Sequence, residues 1–108
     1  MNSTTAALTV LFNKIPRRHS TENVKDINCI IDEYEDLLKN IEAANAFYEK
    51  NTVIFFDELD AIRLKIKKST DNKASKKLKD NFFDEASGAL KDSTQALIEM
   101  YADGNKAI

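Results

Sequence analysis

Two glycines, one proline, one cysteine, one histidine and no tryptophan occur in the 108 residues of this chain. Strand-rich folds draw on Gly and Pro for their many tight turns, so this composition disfavours them. From Arg17 to Ser87 neither residue occurs at all. Cys29 stands alone and cannot form an intramolecular disulfide, which makes a reducing, cytoplasmic setting the simpler expectation. No apolar stretch approaches the roughly 20 residues that a membrane span needs. Ala6, Ala7, Leu8, Val10, Leu11 and Phe12 lack a preceding base and make a poor signal peptide. Glycine loops for phosphate, zinc-ligand spacings and nucleophile elbows are also missing. No catalytic, cofactor-binding or metal-ligating set is therefore expected, and the chain does not read as an enzyme.

What is present is heptad order. Val24, Ile31, Leu38, Asn45, Thr52, Leu59 and Ile66 fall seven apart. Ile27, Tyr34, Ile41, Tyr48, Phe55 and Ile62 form a second series three residues later. Such spacing draws one continuous apolar stripe along an α-helix. The phase survives the weak stretch from Ala43 to Val53, which favours one helix from about residue 20 to 68 over a helix pair. A rod of that length would measure about 70 Å. A small domain would have trouble covering it, so part of the seam is expected to need another chain, with Asn45 and Thr52 setting register.

A short helix over about residues 4–15, ended by Pro16, precedes this segment. Residues 69–75, small and polar, form the linker. The last helix runs from about 75 to 102, with Phe83, Leu90 and Leu97 in one series and Ala86, Ser93 and Met100 in another. Gly88 inside it would allow another backbone to approach closely. Asp103 and Gly104 would end it. The fold class that follows is all-α: a long helical hairpin or a three-to-four-helix bundle, in one domain, with coiled-coil packing.

Charge is segregated. Residues 31–62 hold nine acids against Lys39 and Lys50, and residues 63–81 hold eight bases against Asp71 and Asp80. Those bases are Arg63, Lys65, Lys67, Lys68, Lys73, Lys76, Lys77 and Lys79, a candidate nucleic-acid contact around a turn. Lys14, Arg17 and Arg18 read as helix-end charges. Asp32-Glu33, Glu35-Asp36, Asp57-Glu58 and Asp60 read as solvated face, since no Glu-x-x-His accompanies them.

Val53, Ile54, Phe55 and Phe56 are four consecutive large apolar residues, which on a helix point all round the axis. They are the candidate partner-binding patch: Phe55 belongs to the seam, while Val53 and Ile54 fall on the charged face. The expected function is protein binding, by self-association or to a helical partner, as an adaptor, chaperone or inhibitor working through exposed seam. The alternative is a nucleic-acid-associated regulator using Arg63 to Lys79. In size, acidity and heptad content the chain resembles small helical adaptors such as secretion-system chaperones, bacteriocin immunity proteins and phage-encoded inhibitors. That resemblance is one of architecture and assigns no residue a role.

Overall fold

A computed structural model describes residues 3–102, apart from the side chains of Ser3 and Ala102, and every element in it is helical. The helices are α1 (Ser3–Lys14), α2 (Thr21–Glu42), α3 (Ala46–Asn51), α4 (Val53–Ser69) and α5 (Lys76–Ala102). The expected stop at Asp103 and Gly104 lies outside the described residues.

The seam from Val24 to Ile66 does not form one rod. Helix α2 starts at Ser20, whose extended backbone frees its Oγ to accept the Asn23 amide at 3.0 Å. It stops after Glu42, where Ala43 and Ala44 still donate to the carbonyls of Lys39 and Ile41. Asn45 is extended, and its side chain accepts the Tyr48 amide at 3.0 Å. Asn45 is thus an exposed cap that restarts the chain as α3, not a buried register residue. At Thr52 a second, smaller break follows. Its hydroxyl donates back to the Tyr48 carbonyl at 2.7 Å, and the Phe55 amide turns to the Thr52 carbonyl three residues back. Back-bonding of this kind bends a helix. Thr52 is fully buried, with its hydroxyl satisfied locally.

These breaks fold the stripe onto itself. Arg63 on α4 reaches Asp32 and Glu35 on α2, so α2 and α4 run antiparallel with α3 across their turn. Helix α5 returns along α4, as Lys65–Glu85 and Lys68 over the Phe82 ring show. The α4–α5 contact is the most extensive in the molecule. Helix α1, too short to be stable alone, docks on α2 and α5. It lies antiparallel to α5, with the Pro16 carbonyl accepting the Ser87 hydroxyl at 2.6 Å and Lys91 over the Phe12 ring. The result is an up-down-up-down arrangement of α1, α2, α4 and α5, measuring 49 × 23 × 17 Å.

The heptad positions supply its core: Ile27, Ile31, Tyr34, Leu38 and Ile41 from α2, Leu59 and Ile62 from α4, and Phe83, Leu90 and Leu97 from α5. Leu8, Leu11 and Ile15 close it from the α1 side. Burial of each such aliphatic side chain is worth about 1.5–3 kcal/mol. The seam expected to be exposed is therefore covered by the chain's own helices. Gly88 also departs from expectation: it is exposed, and an added Cβ there would meet nothing within 4 Å.

Candidate functional site

Helical phase splits the Val53 to Phe56 patch. Phe55 enters the core at 6% exposure and Phe56 lies partly buried against it. Val53 and Ile54 turn outward, 55% and 61% exposed. The four residues thus do not share one surface. Leu64, also more than half exposed, joins Val53 and Ile54 on the outer side of α4, with the exposed Ala61 between. Phe47 on α3 is also exposed. Leu64 carries a sequence signal of its own: it lies eleven residues after Val53, three turns further along the same face.

The eight bases from Arg63 to Lys79 divide in the same manner. Arg63 is spent on Asp32 and Glu35 at 3.0 and 3.1 Å, and Lys65 on Glu85 at 3.6 Å. Lys68 sits 5.6 Å above the Phe82 ring. Lys67, Lys73, Lys76 and Lys77 are exposed, and Lys79 is half-buried. The fold adds cations that the sequence order kept apart. The α1–α2 connection lies beside the start of α5, where Arg17, Arg18 and Lys76 share a cleft with Asp80 and Asp84. The interleaved carboxylates lower the potential that this cleft offers a phosphate.

His19 enters the same cleft, with Nδ1 3.0 Å from Asp80 Oδ1 and its ring 5.5 Å from that of Phe83. A histidine held by a carboxylate is two-thirds of a nucleophile-activating set. The cleft lining supplies no hydroxyl or thiol as the third member, and Cys29 is exposed on α2. Among the described residues no three His, Cys, Asp or Glu side chains gather closely enough to hold a metal ion. Nor is any described helix long and apolar enough to cross a membrane.

Two buried phenols complete the inventory of perturbed groups. Tyr34 shares a 2.7 Å hydrogen bond with the Ser93 hydroxyl across the core, and burial pushes its pKa well above the ordinary tyrosine value. Tyr48, with its ring 5.2 Å from that of Tyr101, is also raised by burial. Its hydroxyl has no hydrogen-bond partner among the described residues. Both phenols join α5 to helices on the other side of the core, which is a structural task.

Comparison of the chain with models of known families, with curated proteins and with solved structures returned no match.

Proposed function

We propose that this chain is a non-enzymatic, cytoplasmic protein-binding module, an adaptor, chaperone or inhibitor, whose contact surface is the outer side of α4 around Val53 and Ile54. The observation that carries the reading is the division at residues 53–56. Two large aliphatic side chains stand in water beside a neighbour, Phe55, that the core takes in. Exposed residues of this size scattered singly need no explanation, but a cluster on one face invites cover. The contact cannot be the heptad seam, which the bundle consumes. That seam is read as coiled-coil interdigitation within the chain.

Ile54→Asp is the test. Thermal melting and helicity of the isolated protein should stay as they are, while capture of a binding protein, repeated with that protein purified, is lost. Unfolding by Ile54→Asp, or undiminished capture, would overturn the reading.

The second reading, a nucleic-acid-associated regulator, is favoured by one observation: folding sets Arg17 and Arg18 beside Lys76. Duplex binding that weakens steeply with salt, and falls tenfold in Lys73→Glu/Lys76→Glu, would promote it over the first.

A further inference from the structure

Ile54, Ala61 and Lys68 fall seven apart on α4, with Asp57 and Leu64 three residues after the first two. All five are exposed, so the helix carries a second stripe opposite its core face. Charge along this outer face is divided by position. Asp57, Glu58 and Asp60 occupy the first half, and Lys67 and Lys68 the second. None of these five charges makes an ion pair among the described residues. The bases between the two groups, Arg63 and Lys65, are by contrast already held by carboxylates of α2 and α5. The outer face therefore mixes exposed apolar side chains with charge that is acidic at one end and basic at the other; no ion pair holds that charge, and only Lys68 has a ring contact, with Phe82, among the described residues.

We propose that this face is the interface of a homodimer in which α4 of one copy lies antiparallel to α4 of a second copy across a two-fold axis. The inference rests on the protein-binding reading above and names its partner. Direction follows from charge. A parallel pair would set Asp57, Glu58 and Asp60 against themselves and the lysines against themselves, which costs free energy; the antiparallel pair sets acid against base.

One register serves the stripe. With the axis between the levels of Ile62 and Arg63, Asp57 stands opposite Lys68 of the second copy, and Asp60 lies on the same flank as its Lys67. Ala61 then meets Leu64, a small residue against a large one at the centre. The same patch serves both copies, so the contact is isologous and closes at two. Ile54 extends past the paired centre to the level of the second copy's shallow concavity, where α4 meets the following turn and Leu64, Lys67, Thr70 and Asn72 line it.

The interface is small. Helix α4 has 17 residues, which at 1.5 Å each span about 25 Å. A strip of that length falls below the roughly 800 Å² per partner of a standard stable interface. Association is accordingly weak, in the micromolar range, and weakens with salt because part of it is exposed charge.

Sedimentation velocity on the full chain, over concentrations from about 1 to 200 μM, reads this directly. The chain is expected to move from monomer to dimer within that range. Ile54→Asp, Asp57→Lys/Asp60→Lys and Lys67→Glu/Lys68→Glu should each weaken the dimer at least tenfold with unchanged melting. Mixing the two charge-reversed variants should restore a heterodimer of near-normal affinity. A monomer throughout, or charge-reversed variants that fail to rescue one another, would overturn the proposal. If the chain stays monomeric and Ile54→Asp still abolishes capture of another protein, the self-pairing is wrong and the protein-binding reading stands. If Ile54→Asp changes neither dimerisation nor capture, both fail.

Discussion

The two faces of α4 are built from similar amino acids and meet opposite fates. On the inner face Phe55, Leu59, Ile62 and Ile66 are 1–6% exposed. On the outer face Val53, Ile54 and Leu64 are more than half exposed. What separates them is company. Inner positions repeat without interruption and meet equivalent stripes on α2 and α5. Outer positions are broken at every turn by a carboxylate or an ammonium that keeps water close. A single chain can therefore afford the outer residues without cover. It cannot leave the inner ones bare, because the apolar area involved is much of what holds the fold together.

The sharpest way to break this contrast is a matched pair of truncations. Leu59→Ala should cost about 2–5 kcal/mol of unfolding free energy through lost burial and a residual cavity. Leu64→Ala should change it by no more than about 0.5 kcal/mol. Urea unfolding of both variants measures the difference, and equal costs would mean that the two faces are not distinct.

A second test moves the contrast to polar groups. Tyr34→Phe removes the buried hydrogen bond to Ser93 and leaves that hydroxyl unpaired, for a loss of about 1–2 kcal/mol at neutral pH. The pH dependence has a fixed sign. Burial favours the neutral phenol in the folded state, so its pKa there lies above the unfolded value. Tyr34 thus contributes stability that is fully present below pH about 10 and is lost as pH rises beyond it. Denaturation curves from pH 8 to 11 should fall less steeply for Tyr34→Phe than for the parent chain. Parallel curves would remove Tyr34 from the account.

Gly88→Ala probes an exposed position of α5 in the opposite direction. Its new methyl has free space, and the helix gains up to about 1 kcal/mol from Ala over Gly. A drop in melting temperature would show that something approaches Gly88 after all. The smallest effect belongs to Arg63, a partly exposed residue bonded to Asp32 and Glu35. Arg63→Ala should cost no more than about 1 kcal/mol, fading at high salt, and Lys67→Ala still less. A larger loss would mean that the α2–α4 contact depends on charge more than on the Leu59 side of the helix.

Much of this organisation was legible in one dimension. The seam positions of α2 and α4 face the core almost without exception, and the linker ends at residue 75 as its composition suggests. The inward course of Phe55 and the outward course of Ile54 follow from counting along a helix. The break at Asn45 was misread because a cap and a polar seam residue look alike in sequence. Asn45 occupies the heptad phase and also has a side chain able to accept an amide three residues on. Phase was preserved across the break because α3 lies over the turn with Tyr48 still facing the same core. Continuity of phase was therefore no proof of a continuous rod. The His19–Asp80 pair and the cleft of Arg17, Arg18 and Lys76 were beyond reach, since they join residues about 60 positions apart.

Local propensity and apolar periodicity are properties of neighbours within a turn or two, so the sequence by itself determined that the chain is helical and which face of each helix seeks cover. It also determined that α4 changes from acidic to basic along its length, because charge order is simply residue order. What supplies the cover was a different matter. A stripe from Val24 to Ile66 is satisfied equally by another chain or by folding back at Asn45, and the two solutions bury the same side chains. Only the tertiary structure decided for the second. By spending the seam internally, it left Val53, Ile54 and Leu64 exposed on the outside of α4, where the apolar residues are too few to have drawn a helix of the same chain over them.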